Sequence, residues 1–372
     1  MSLELEEEIR RRIRAEGPIT FAEFMEMALY HPGLGYYTRP GRGFGREGDF
    51  YTSVHVHPIF GAMLALQLRE MWYALGRPRP FILVECGAGE GFLAKDILEA
   101  TWRRWPEFFT ALRYGIVERS PYLTSVQKER LAGSGRPAWF ESLSEAAAWA
   151  GEPLTGCLLA NELIDAFPVH RVRLVGGRMR EIYVALDGER FVEVLGELSG
   201  PELAAYFDGL SLEEGQEAEA NLEALRWLEE VAQNLARGFT LILDYGYRAE
   251  ELYGPRFPRG TLMCYRKHQA GEDPYRFLGE QDLTAHVNFS ALIERGRELG
   301  LKTLGFTTQM EFLLSLGILE EAARWDEGSA RLTAQMAAKR LIMPGGMGEI
   351  FKVLIQYKGP GQPRLKGLAR PW

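Results

Sequence analysis

Eight consecutive residues, Val84-Glu85-Cys86-Gly87-Ala88-Gly89-Glu90-Gly91, have the types and spacing to hold a small ligand. Glycines let a chain turn sharply off a strand and bring a ligand against bare backbone. A helix starting beyond them adds free N–H groups and a partial positive charge. Those features suit a dinucleotide or S-adenosylmethionine equally, and the flanking carboxylates decide between them. Glu85 stands just before the turn, where it repels a pyrophosphate and attracts an ammonium or sulfonium group. Glu118 closes the next apolar run and is placed to accept from both ribose hydroxyls. The glycine spacing is Gly-x-Gly-x-Gly rather than Gly-x-Gly-x-x-Gly. The loop therefore reads as an S-adenosylmethionine site made by Glu85, Gly87, Ala88, Gly89 and Glu118.

A second cluster is Asn161-Glu162-Leu163-Ile164-Asp165-Ala166-Phe167-Pro168, directly after the apolar run Cys157–Ala160. Open α/β sheets bind ligands at that edge. On one helical turn Glu162 and Asp165 can approach each other and clamp a planar guanidinium. Equally, either carboxylate can cap a helix N-terminus. His286 is a candidate for handling a proton at the substrate, or a core histidine bonded to Asp282. Tyr245 is suited to stacking on a substrate or to closing the sheet edge. His55 and His57 share one face if extended, but without a third ligand they read as ordinary polar contacts, and no metal is expected.

These residues need a frame that brings strand ends together. Phe81–Glu85, Tyr114–Glu118, Ala138–Phe140, Cys157–Ala160 and Phe239–Leu243 read as core strands. Helices alternate with them: one carrying Phe92, Leu93, Ile97 and Leu98, then Tyr122–Leu131. Alternating β and α elements require crossovers, so the sheet is expected to be mainly parallel, an α/β Rossmann-like core. Before it lie a helix over 4–16, a second helix capped by Thr20, and an aromatic, glycine-rich stretch from Tyr30 to Ser53. Between residues 169 and 195 the pattern changes to a β-meander with hairpin turns at Gly176-Gly177 and Asp187-Gly188. A helix is expected over 218–236, an irregular insertion over 248–288, a helix over 290–299, a short strand near 301–306, two helical stretches and a last strand over 350–357. The chain thus divides into an N-terminal helical cover with a cofactor-contacting loop (1–80), the first part of the core (81–168), an inserted meander with helices (169–237), and the rest of the core with its substrate-side insertion (238–372).

Composition narrows the class further. The 372 residues carry 43 basic and 51 acidic side chains, a net charge of -8 without a dominant basic block, so no nucleic-acid track is expected. Three widely spaced cysteines form no disulfide framework and no CxxC zinc pair. No apolar run is long enough for membrane insertion. Four acidic residues among the first eight argue against a presequence, and with the cysteine usage they point to a cytoplasmic protein.

The chain resembles the MidA family of S-adenosylmethionine-dependent methyltransferases, which includes mitochondrial complex I assembly factors that methylate arginine in a protein subunit. Matching stretches run through nearly the whole length. They include Gly48-Asp49-Phe50-Tyr51-Thr52-Ser53, Phe60-Gly61, Glu85 to Gly91, Glu118-Arg119-Ser120-Pro121, Asn161 to Pro168 and Asp244-Tyr245-Gly246. Further on stand Gly260-Thr261-Leu262, Tyr265, His268, Asp282 to Val287, Thr308-Gln309, and Met347-Gly348 before Phe351-Lys352-Val353-Leu354. The resemblance implies that Thr52 and Ser53 reach the methionine end of S-adenosylmethionine. It places Glu85 to Gly89, Glu118 and the adjoining Arg119 around the cofactor body, with Asn161 and Glu162 beside the sulfonium. After Ser53 the chain departs from the family, with Val54-His55 and His57 where Pro-Glu and a nearby Ser are common. The implied activity is methyl transfer to an arginine of a protein partner, with Glu162 and Asp165 orienting the guanidinium and His286 near it. A small-molecule methyltransferase and a cofactor-binding assembly factor are the alternatives.

Overall fold

A computed structural model describes residues 2–40, 53–151, 154–267 and 269–369. Residues 41–52, which include Thr52 and part of the glycine-rich stretch, lie outside the described residues, as does His268. The core is a twisted sheet of eight strands, seven of them in one path and Val287–Asn288 beside it. Those in the path are β1 (Phe81–Cys86), β2 (Leu112–Val117), β3 (Ala138–Phe140), β4 (Leu154–Asn161), β5 (Leu235–Tyr247), β6 (Lys302–Thr308) and β7 (Phe351–Lys358). Their spatial order is β6-β7-β5-β4-β1-β2-β3. Neighbours from β3 to β5 pair in parallel, whereas β7 runs antiparallel to both β5 and β6. Strand order reverses between β1 and β4, so the crevice beyond their carboxyl ends is where an open α/β sheet binds its ligand.

Both faces of the sheet are covered, which is why β1 is buried along its whole length and reads as an apolar run from Phe81 to Val84. One layer contains α3 (Ile59–Ala74), α4 (Phe92–Arg104) and the helix Ser329–Leu341. The opposite layer contains Leu143–Ala150, Leu222–Asn234 and Phe289–Glu298. α3 is a correction to the sequence division: it lies within 1–80 but packs on the core sheet, not in the cover. Its residues from Ile59 to Ala65 are all buried, so it lacks the polar face that reveals a surface helix.

The N-terminal cover consists of α1 (Ser2–Glu16) and α2 (Phe21–Tyr30). Thr20 caps α2 in a reciprocal box with Glu23. Leu5, Ile9 and Ile13 of α1 pack with Phe21, Phe24 and Met25 of α2. The two residues before α2, Ile19–Thr20, add an edge strand to the meander formed by His170–Val175, Arg178–Asp187 and Arg190–Gly196. A fifth strand, Glu217–Ala220, pairs with His170–Val175, so the helix expected over 218–236 starts only at Leu222. Glu-Ala-Glu-Ala is strand here because Glu217 receives Arg171 and Arg173 while Glu219 receives Thr261, and Asn221 then caps the helix. The insertion is organised as well. It carries a three-stranded sheet of Met263–Arg266, Gln269–Gly271 and Asp282–Thr284. Three helices of more than one turn, not two stretches, connect β6 to β7.

Candidate active site

The carboxyl ends of β1, β2 and β4 open on a cavity of about 750 Å³. Beyond β1 the chain turns through Gly87 (φ +67°) and Gly89 (φ +52°) and enters α4 from Gly91 (φ +82°). A Cβ on Gly89 meets nothing within 4 Å, so bare backbone there faces open space. Glu85, Gly87, Ala88, Gly89, Glu118, Arg119, Asn161, Glu162 and Asp165 all line this cavity.

The carboxylates at the glycine loop are firmly held. Tyr114 donates its hydroxyl to Glu85 at 2.7 Å, and burial pushes the Glu85 carboxyl up to about 7. Glu118 accepts from the Ser120 N–H at 2.9 Å and from Gln127 at 3.0 Å, and burial raises its pKa. Gln127 is the residue that sequence reading missed. Its amide also donates to the Gly89 carbonyl at 2.7 Å and accepts from the Trp139 indole at 3.0 Å. One buried side chain thus ties the glycine turn to the acidic strand end. Arg119 reaches Glu26 at 2.7 Å and lies over the Tyr30 ring, fastening the cover to this rim.

The cluster after β4 is organised differently. Residues 162–168 form a bend and a turn rather than the helical turn expected, so neither Glu162 nor Asp165 caps a helix. Asp244 holds this loop by accepting from the Ile164 and Asp165 N–H groups. Asn221 and Tyr30 bind the carbonyls of Ile164 and Ala166. Glu162 itself sits at φ +52°, a left-handed conformation that costs a non-glycine residue roughly 1–2 kcal/mol. Its Oε1 accepts from Asn161 at 3.2 Å and from the Ser53 N–H at 3.3 Å. Three buried acceptors, Asn161 Oδ1, Glu162 Oε2 and Asp165 Oδ1, have no hydrogen-bond partner among the described residues. Burial and the adjacent Asp165 push Glu162 up to about 8, and burial pushes Asp165 up to about 7 against the opposing Tyr245 hydrogen bond. Such buried acceptors are costly without donors.

Not every expected residue faces the cavity. Ser53 is buried with its hydroxyl turned to Gln309 at 3.1 Å, so only its backbone supports the site, through Glu162. His286 does not line the cavity. Its ring packs among Tyr245, Tyr247 and Phe257, and burial lowers its pKa to about 4. His55 does line it, edge-on to Phe92, whereas His57 accepts from the Ile59 N–H at the start of α3. A different histidine, His170, also lines the cavity and is bonded to buried Glu181 at 2.8 Å. Sequence offered no signal for it, because the pairing depends on the meander register. Among the described residues no cluster of three His, Cys, Asp or Glu is placed to hold a metal.

A parallel crevice with a left-handed glycine turn, a buried Glu85 and a half-buried Glu118 at the flanking strand ends, and open space over Gly89 fits S-adenosylmethionine. Fold and site together define a class I S-adenosylmethionine-dependent methyltransferase. Residues 63–307 match the S-adenosyl-L-methionine-dependent methyltransferase family, and the chain belongs to it. It is 30% identical to the mitochondrial protein arginine methyltransferase NDUFAF7 homolog of Drosophila melanogaster, over 95% of this chain and 85% of that one. It is equally 30% identical to mitochondrial NDUFAF7 of Danio rerio, over 92% and 84%. A Burkholderia thailandensis protein, crystallised bound to S-adenosyl-homocysteine, superposes with a TM-score of 0.90 at 34% identity, covering 99% of this chain and 95% of that one.

The relatives' mitochondrial names overturn the cytoplasmic assignment. The acidic residues behind that assignment belong to α1, whose apolar side is packed in the cover, so their charge answers to packing and carries no compartment signal. Among the described residues no helix is long and apolar enough to cross a membrane.

Proposed function

We propose that this enzyme methylates an arginine guanidinium of a protein substrate, with Glu162 and Asp165 as the acceptors that orient it. The observation that carries this reading is the pair of buried oxygens, Glu162 Oε2 and Asp165 Oδ1, on one cavity and without a partner among the described residues. A guanidinium presents five N–H donors in a rigid fork and matches two such acceptors. The names of the curated relatives as protein arginine methyltransferases support the same substrate class.

S-adenosylmethionine supplies an electrophilic methyl group on its sulfonium. The glycine turn, Glu85 and Glu118 hold the cofactor, with Gln127 keeping Glu118 and Gly89 in register. Glu162 and Asp165 align the guanidinium nitrogen and draw on its N–H bonds. As that nitrogen gains a methyl it loses one proton, and Glu162, ionised by the guanidinium that entered beside it, is placed to receive it. A guanidinium entering the cavity also lowers both carboxyl pKa values, so the substrate's own charge ionises its acceptors. His286 takes a supporting place behind Tyr245, packed against its ring.

Incubating a cell proteome with the enzyme and methyl-labelled S-adenosylmethionine, followed by complete hydrolysis, tests the reading. Label is expected in methylarginine. Label confined to small metabolites or to methyllysine would contradict it.

A further inference from the structure

The cavity holds a further carboxylate that the methyl-transfer chemistry does not use. Asp282 opens the strand Asp282–Thr284, is 5% exposed, and lines the same cavity as Glu162 and Asp165. Two hydrogen bonds fix it relative to the loop after β4. Tyr37 donates its hydroxyl to Asp282 Oδ1 at 2.8 Å, and the Ala285 N–H donates to the Asp165 carbonyl at 2.9 Å. The cover and the insertion therefore meet at Asp282, and the insertion is tied to the core at Asp165.

Tyrosines lie close to both aspartates. Tyr265 pairs with Asp282 across antiparallel strands, and the Tyr30 and Tyr37 rings stack at 5.4 Å. Burial dominates the raised pKa of all four hydroxyls at Tyr30, Tyr37, Tyr245 and Tyr265, and each is also raised by both Asp165 and Asp282. The two carboxylates thus flank one aromatic cluster from different structural units.

We propose that Asp282 is a specificity-determining residue, accepting from the edge of the guanidinium that Glu162 and Asp165 leave uncovered and so selecting arginine over lysine. The proposal rests on the arginine reading above. A planar fork donates in several in-plane directions and reaches acceptors on two walls of a pocket. An ammonium is a compact charge on a flexible stem and has no fork to span two walls. The aromatic faces between the walls favour a flat, weakly hydrated cation as well.

Calorimetric titration of the protein saturated with S-adenosylhomocysteine tests this, using Nα-acetyl-arginine amide and Nα-acetyl-lysine amide as probes. Wild type is expected to prefer the arginine probe by roughly tenfold or more. Asp282→Asn should remove most of that preference by weakening the arginine probe, with S-adenosylhomocysteine affinity kept. Tyr37→Phe, which retains the carboxylate but removes one of its hydrogen bonds, should remove a smaller part, and it carries the test if Asp282→Asn does not fold. Full preference in a variant that still binds S-adenosylhomocysteine would overturn the role of Asp282 and leave the arginine reading standing. No preference in wild type would defeat the arginine reading, and this inference with it.

Discussion

The two ends of the cavity treat their carboxylates in opposite ways. At the glycine loop, Glu85 and Glu118 are held by Tyr114, Ser120 and Gln127, all within the core. After β4, Asn161, Glu162 and Asp165 each keep one buried oxygen without a partner among the described residues, and Glu162 adds a left-handed backbone. A pre-satisfied site recognises by shape and costs little to maintain. A site with unmet acceptors stores its cost until a donor-rich cation arrives. Under the proposed function, the difference separates holding the cofactor from orienting the group to be methylated.

The largest effect expected of any change at the loop end comes from Gly89→Val. A branched side chain there enters the open space over the loop and resists φ +52°. S-adenosylhomocysteine affinity, read by calorimetry, should fall by roughly a hundredfold or more while the chain stays folded, since the backbone penalty is only about 1–2 kcal/mol. Normal affinity in a folded variant would break the assignment of this end.

Gln127→Ala should act on the same end more gently. It removes three hydrogen bonds that join Gly89, Glu118 and Trp139, each worth about 1 kcal/mol net. Cofactor affinity is expected to drop roughly tenfold, with a lowered melting temperature. Unchanged affinity would show that Glu118 holds its place without this tie.

The smallest effect is the sharpest, because its sign is unusual for a buried site. The Glu162 carboxyl is raised from an ordinary 4.5 to about 8. Protonation therefore favours the folded state, and this contribution is full below pH 4.5 and is lost as pH rises through 8. Glu162→Gln escapes that loss. The ligand-free variant should melt roughly 2 °C or more above wild type at pH 8, with the gap closing towards pH 4.5. A variant that melts lower across the range would mean that the Glu162 carboxylate is held by its partners as an ion.

What was legible in the sequence follows from the range of the interactions. Short apolar runs gave away β1, β4 and β5, because a strand buried on both faces needs little beyond its own residues to be recognised. The glycine turn and the Thr20 cap are equally local. α3 was not legible, since a helix buried on nearly every side has no stripe. Residues 218–220 read as helix because the carboxylates of Glu217 and Glu219 find their partners in Arg171, Arg173 and Thr261, far away in the chain. Within the site, the acidic residues were visible from type and position. Their supports were not: Asp244, Asn221 and Gln127 act across long separations, and Ser53 is turned towards Gln309. Sequence named the residues that bear charge, and only the fold showed which of their oxygens remain unmet.

The central claim is that the unmet oxygens serve the substrate and not the cofactor. Single-turnover methyl transfer to an arginine-containing protein substrate, measured on Glu162→Gln beside its S-adenosylhomocysteine affinity, tests it most directly. Losing one charged acceptor at the transition state costs about 3 kcal/mol, or roughly two orders of magnitude in rate. The rate is therefore expected to fall about a hundredfold while affinity changes by less than about threefold. Full-rate transfer by the variant, or a collapse of affinity equal to the loss of rate, would contradict the claim.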